Sequence, residues 1–414
     1  MKNLILSSLE SPGQLEKLYR SDKATFKREF SSLYPQLKGQ PIADCWNERL
    51  NFDDSRLSWG TPKEMMTVLG IAVLAGLVAK LPALLAINEE FFYTRNVGFI
   101  VFSLLSVYFS WKNRLSGRRV AFAAGVTLLC LVFINFLPDV RKSDTLTLSC
   151  VHLLIVLWST LGFVFVGEEN NRLQKRLVFL KYNGDLVVMS ALILLAGAIL
   201  SGVTIGLFAL IGFHIEKFYF QNVGVFGLAA VPVVATYLTE NNPHLVGRVS
   251  PVIAKIFSPL VLVMLVIYLI AIVRSGKDPY NDREFLLIFN ILLLGVMAII
   301  FFSIAGSAES GKSRAETGVL FLLSVLTIIV NGIALSAIVF RISEGGITPN
   351  RIAVLGSNVL ILIHLFLVAV HLFRVLSKKS NLSVVERSIV FYLPLYAVWA
   401  LIVTFIFPFL FGFK

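Results

Sequence analysis

The chain has 414 residues, 57% of them hydrophobic and only 15% charged, with a mean hydropathy of +0.80. A soluble domain runs about 45–50% apolar and about 25% charged, so this balance excludes an ordinary soluble fold and points to a membrane protein. The net charge of +12 then needs no nucleic acid to explain it, because multi-pass proteins collect basic residues in cytoplasmic loops beside anionic lipid.

Residues 1–63 are polar and charged. The opening MKNLILSSLESPG lacks the apolar core of about 7–15 residues that a signal peptide needs, and none is expected. The stretch SPGQLEKLYRSDKATFKREFSSLYPQL reads as two short amphipathic helices. Ser11 before Pro12 suits an N-cap and first helical position, and Ser21 or Asp22 can cap the second helix. Leu15, Leu18 and Tyr19 make one apolar face, and Phe26, Phe30 and Leu33 the next. Such helices fit a membrane surface, the underside of a bundle or a cytoplasmic protein partner.

Residues 64–414 form hydrophobic runs separated by short loops. A span needs roughly 20 apolar residues. On that measure we expect about eleven, near 65–87, 97–111, 120–137, 146–166, 186–213, 222–238, 252–273, 285–305, 318–340, 352–373 and 388–413. The fold class expected is therefore all-α, a polytopic transmembrane helix bundle preceded by short amphipathic helices. The loops KNRLSGRR (112–119), NNRLQKRLVFLK (170–181) and FRVLSKKSNLSVVER (373–387) carry four Lys or Arg each. Alternate loops at 88–96 and 214–220 carry one each, although the loop at 274–284 carries three. The positive-inside rule places the N-terminus in the cytoplasm and the C-terminus outside.

None of these runs contains Asp or Glu, whereas ion-coupled pumps usually bury a carboxylate. Lys80 lies in the first run, about five residues from its outer end, where a lysine can snorkel to the interface. His152 sits shallow in the fourth. His364 and His371 are seven residues apart, on one helix face but about 10.5 Å apart along it, too far to share a metal ion. Asn331, on the preceding run, comes near the depth of His364. That pair could form an interhelical hydrogen bond or a polar site for a substrate or proton. The three cysteines, Cys45, Cys130 and Cys150, show no C-x-x-C spacing, so no disulfide framework, cysteine metal site or cofactor is expected.

Residues 306–313, GSAESGKS, match the phosphate-loop pattern G-x-x-x-x-G-K-[ST] in full. A working phosphate loop joins a buried strand to a helix, whereas this one lies between two apolar runs. We expect a polar turn there, with Lys312 and Arg314 as anchors, and no nucleotide hydrolysis.

The loop RISEGGITPNR spans 341–351. Gly345 and Gly346 permit a tight reversal, and Thr348 with Pro349 opens the next helix. Arg341 and Arg351 flank Glu344, so an ion pair could close the hairpin. Alternatively, Arg341, Glu344, Thr348, Asn350 and Arg351 could form a recognition site for a phosphate or carboxylate. This stretch resembles the signature of a bacterial multi-pass membrane family known as domain of unknown function forty-one fifty-three. LEKLYRSDKATFKREFSSLYP and CWNERLNF near the start also look like its members. Where those often carry an aromatic residue before the second glycine, this chain has Gly345. The resemblance implies a bacterial inner membrane and supplies no activity.

Three functions fit these observations. A carrier, channel or lipid-handling protein would centre on Lys80, Asn331, His364 and the 341–351 loop. A non-catalytic envelope scaffold or sensor would work through residues 1–63. A membrane-embedded enzyme would use an outward-facing site at 341–351, although paired carboxylates and metal-spaced histidines are missing.

Overall fold

The computed structural model describes residues 2–51, 58–140, 143–169, 171–243, 249–275, 283–305 and 313–414, and no strand occurs among them. The chain divides into two compact units, Met1–Ser58 and Trp59–Lys414.

The first unit holds four helices: α1 (Lys2–Ser7), α2 (Pro12–Ser21), α3 (Lys23–Leu37) and α4 (Pro41–Asn51). Ser11 precedes α2 without a side-chain cap, while the Asp22 carboxylate caps α3 by accepting from the Thr25 N–H at 3.0 Å. The helices are amphipathic, and their apolar faces meet one another. Leu15, Phe26, Phe30 and Leu33 are buried with Ile5 and Trp46 in a common core. Tyr19, Phe26 and Phe30 ring Trp46 with centroids 5.1–6.5 Å away.

Among the described residues the second unit contains eleven long helices: α5 (Pro62–Leu85), α6 (Glu89–Lys112), α7 (Gly117–Phe136), α8 (Asp144–Val166), α9 (Arg172–Leu210) and α10 (Glu216–Asn241), then α11 (Val249–Ser275), α12 (Arg283–Ala305), α13 (Arg314–Gly345), α14 (Pro349–Leu376) and α15 (Leu382–Leu410). Each expected span falls on one of them. Nine have the length and apolar composition to cross a membrane among the described residues, and α11 and α12 add shorter apolar stretches. This is a multi-pass, all-α membrane protein. The second and sixth spans read short because their first turns are polar. Glu89, Glu90 and Arg95 open α6, and Glu216 with Lys217 opens α10.

The two largest apolar cores of this unit lie side by side along the chain. One gathers α5, α6, α8, α9 and α10 around Tyr108, Phe109, Phe165 and Tyr182. The other gathers α9 and α11–α15 around Phe289, Ile300, Leu323, Leu365 and Ile389. Helix α9 contributes to both, and Trp158 of α8 packs against both. These two helices are therefore the seam. At 39 residues α9 is about 58 Å long, nearly twice the bilayer's ~30 Å hydrocarbon core. Its second half is exposed and apolar.

Polar contacts tie the helix ends together on each side. On the side rich in basic residues, the Lys112 ammonium lies 3.3 Å from Glu64 and 3.2 Å from Glu240, joining α5, α6 and α10. Lys255 pairs with Glu316 at 2.6 Å, joining α11 and α13. Residues 306–312 of the phosphate-loop match lie outside the described residues. Ser313 caps α13, its hydroxyl accepting from the Glu316 N–H while the Glu316 carboxylate accepts from the Ser313 N–H, both at 3.2 Å. The loop at 274–284 lies largely outside the described residues as well.

A short stretch of sequence occurs twice, at the start of α6 and of α10. FYTRNVG at 92–98 recurs as FYFQNVG at 218–224, and a π-helical turn follows the first copy, at Phe99–Ser103, and falls within the second, at Phe220–Gly224. Tyr93 donates to the Ala79 carbonyl of the preceding helix at 2.8 Å, and the Tyr219 hydroxyl meets Ser201 of its own preceding helix at 3.2 Å. The two polar-start helices thus share a local design.

Candidate functional site

The residues singled out from the sequence do not converge. Lys80 is half-buried on α5 and donates to the Asn222 side-chain oxygen on the π turn of α10. It is held by a neighbouring helix rather than simply reaching for the interface. His152 donates from Nδ1 to the Leu148 carbonyl at 2.9 Å, a local bond within α8.

Asn331 and His364 are both fully buried, and each has a partner other than the one expected. The Asn331 amide donates to the Asn358 backbone carbonyl at 3.0 Å. That level on α14 is six residues, about 9 Å, from His364. His364 instead shares a 3.0 Å hydrogen bond between Nδ1 and the Tyr396 hydroxyl of α15. Its ring stacks on Tyr392 at 4.3 Å and meets Phe301 at 4.8 Å. The Nε2 atom has no partner among the described residues. The arrangement is a closed aromatic box. His371 is half-buried one turn beyond the next.

At the 341–351 loop the hairpin is closed by the backbone. The Arg351 guanidinium donates to the Gly346 carbonyl at 2.6 Å. A Cβ on Gly345 would lie 2.7 Å from that guanidinium, the end of a flexible side chain that would have to shift to admit it. Gly346 has φ +74°, in the region open mainly to glycine. Thr348 caps α14, accepting from the Arg351 N–H at 3.3 Å. Glu344 is exposed and makes no ion pair among the described residues, Arg341 is half-buried and engaged, and Asn350 is half-buried. These side chains do not form a convergent anion cleft.

Two grooves in the second unit stand out instead. The first, of about 230 Å³, runs between α8, α9 and α15, with Gly162, Phe163, Phe179 and Pro394 along it and Arg119, Arg172 and Arg176 at one end. From Gly167 to Trp158 it follows α8 for about 13 Å. The second, of about 520 Å³, lies between α13 and α14, lined by Phe321, Ile328, Phe366 and Phe373, with Arg374 and Lys379 at its end. Both are apolar along their length and basic at the same side of the bundle.

The first groove has a defined electrostatic edge. Arg119 donates to the Gly167 carbonyl, lies 4.0 Å from Glu168 and sits 5.2 Å over the Phe163 ring. Glu168 also accepts from the Ser116 N–H at 3.3 Å. Hydrogen bonds from the Ser116 side chain and backbone, with the charge of Arg119, hold its carboxyl below the usual glutamate range. Lys175 is paired with Glu169 at 3.4 Å. Arg172 and Arg176 have no hydrogen-bond or ion-pair partner among the described residues.

The sequence reading missed this site because it took the charges at 112–119 and 170–181 only as orientation signals. The available clue was spacing: Arg172 and Arg176 stand at i and i+4, on one face of a helix. Asp185 was missed too. It lies one residue before the expected fifth span, yet it is buried within the continuous helix α9. Among the described residues no group of His, Cys, Asp and Glu has a metal-binding arrangement. No family model, curated protein or solved structure matches this chain. Its function therefore has to be argued from these grooves.

Proposed function

We propose that this is a lipid-handling protein of the bacterial inner membrane, binding phospholipid along grooves on its outer helix faces. The observation that carries the reading is the pair of grooves, each apolar along its walls and basic at the same side. Phospholipids have that distribution of chemistry, and basic pockets between membrane helices on the cytoplasmic side commonly hold anionic head groups. With the positive-inside rule, the basic side faces the cytoplasm, the N-terminus lies there and the C-terminus outside. The resemblance at RISEGGITPNR belongs with the same localisation. A carrier working through His364 would need access to a ring now enclosed by Phe301, Tyr392 and Tyr396. An enzyme at 341–351 would need the convergence that Arg351 gives up by turning to Gly346.

The test is to extract the full chain in polymer-bounded native discs and compare the retained lipids with the surrounding membrane by mass spectrometry. Enrichment of anionic phospholipid is expected. Retained lipid identical in composition to the bulk membrane would sink the reading. A second role, as a scaffold for a cytoplasmic protein, is favoured by the first unit, which folds around its own core and exposes Lys17, Lys27 and Lys38.

A further inference from the structure

The groove between α8, α9 and α15 has a more specific occupant than lipid in general. We infer that it is a binding site for one anionic phospholipid, its phosphate held by Arg172 and Arg176 and an acyl chain lying along Gly162, Phe163 and Pro394. This rests on the lipid-handling reading and adds the head-group class and the residues that select it.

The case begins with placement of charge. Arg172 is the first residue of α9 and Arg176 lies one turn later, and the first turn carries no acidic residue. A helix N-terminus is electropositive, so cations are disfavoured there. Like charges at i and i+4 repel each other as well. Among the described residues lining the groove, none offsets either effect. The groove lining has three arginines and no carboxylate, and neighbouring Glu168 and Glu169 are taken by Arg119 and Lys175. An anion at this position relieves both repulsions and faces the first turn of α9, where the Asn171 cap takes the Gln174 N–H at 3.3 Å and an anion can meet the N–H groups before it. Guanidinium forks match phosphate oxygens in geometry.

The shape of the groove then distinguishes a lipid from a free phosphate. From the arginines it continues along Phe163, whose ring is half-exposed, to Leu393, Pro394 and Ala397 of α15. Gly162 keeps the floor open, since a Cβ there would sit 3.0 Å from the Phe179 ring. At about 230 Å³ the space is below the roughly 300–1,000 Å³ of a pocket that encloses a small molecule. It suits a head-group phosphate and the upper part of one chain, with the rest in the bilayer.

The experiment uses the full chain in mild detergent, titrated with dioleoyl phosphatidylglycerol or dioleoyl phosphatidylcholine and read by native mass spectrometry. Thermal unfolding confirms that each variant is folded. Wild type should prefer phosphatidylglycerol, and Arg172→Gln with Arg176→Gln should weaken that lipid by about 25-fold and phosphatidylcholine, whose ammonium offsets the charge of the same phosphate, by less, so that the preference narrows. Ala397→Phe, which fills the chain path and keeps both arginines, should also weaken phosphatidylglycerol. An arginine double variant that keeps its affinity overturns the site, and so does an unaffected Ala397→Phe, since the arginines would then be only a surface charge. If Arg374→Gln with Lys379→Gln abolishes the preference instead, the lipid-handling reading stands and this site fails. If wild type shows no preference, both fail.

Discussion

Asn96 and Asn222 hold the same post in two different helices. Each donates its amide to the carbonyl of the phenylalanine four residues earlier, Asn96 to Phe92 at 3.0 Å and Asn222 to Phe218 at 2.8 Å. Their oxygens then accept from different neighbours. Asn96 takes the Asn135 amide of α7 at 2.9 Å, whereas Asn222 takes the Lys80 ammonium of α5. One local motif thus ties two pairs of helices, once with a neutral bond and once with a charged one.

That difference predicts unequal costs. An interhelical hydrogen bond in a membrane contributes about 0.6 kcal/mol on average, whereas a bond to a charged group is worth about 1.5–3 kcal/mol. Asn96→Ala loses two such bonds, one in each direction with Asn135 at 2.9 and 3.0 Å, and should therefore lower stability by about 1.2 kcal/mol, against about 2 kcal/mol for Asn222→Ala. Reversible unfolding in mixed micelles measures both. Adding Lys80→Met to Asn222→Ala should recover part of the loss, because no charge is then left without a partner. Equal costs for the two asparagines would refute the distinction.

The hairpin before α14 gives a second contrast, between backbone and charge. Gly346→Ala places a Cβ at φ +74° and should cost about 1–2 kcal/mol. Gly345→Ala should cost less than Gly346→Ala, because its methyl group meets only the end of the flexible Arg351 side chain, which can shift. Glu344→Gln, at an exposed residue without an ion pair among the described residues, should stay within about 0.5 kcal/mol of wild type. A large effect from Glu344→Gln would restore the ion-pair closure that the sequence suggests.

Much of this fold can be read from residue type alone, because lipid imposes a simple rule on composition and length. Runs such as GVLFLLSVLTIIV announce helices whatever they pack against. Capping is equally local: Thr348 and Asp22 each act within three residues of themselves. Partner choice is not local. Asn331 and His364 look alike in depth along their chains, but their partners depend on helix rotation and on α15, which brings Tyr396 to His364. The arginine groove is less legible still. Arg119 and Arg176 are 57 residues apart, and only the packing of α8, α9 and α15 places them beside one apolar channel.

The His364–Tyr396 pair tests whether a buried polar contact stabilises this bundle or is only tolerated by it. Removing one partner strands the other, which costs about 1–3 kcal/mol, whereas replacing both with apolar groups of similar shape can be nearly neutral. Tyr396→Phe leaves both ring nitrogens of His364 without a hydrogen bond and should cost about 2 kcal/mol. His364→Phe with Tyr396→Phe should cost less than the two single changes added together. Strict additivity in that cycle would show that the two side chains are not coupled.

The first unit carries the acid-sensitive contact. Glu16 of α2 accepts from Arg20 at 2.8 Å and pairs with Arg49 of α4 at 2.9 Å, and the Arg49 guanidinium also lies 4.6 Å over the Trp46 ring. The hydrogen bond from Arg20, then those and the charge of Arg49, hold the Glu16 carboxyl below its ordinary value of 4.5. A carboxylate whose folded value is depressed adds stability that is complete above the unfolded value and lost as pH falls through the folded one. The stability difference between wild type and Glu16→Gln should thus be full at neutral pH and shrink as pH falls below 4.5. Urea unfolding of the full chain, read by a hydrogen-exchange pulse at one common pH over residues 12–51, measures that difference. Glu16 is solvent-exposed at its edge, so the difference should also narrow with added salt. A gap that stayed constant with pH would mean that the α2–α4 contact is held by Arg49 lying 5.3 Å over the Tyr19 ring of α2 and that the Glu16 charge contributes nothing.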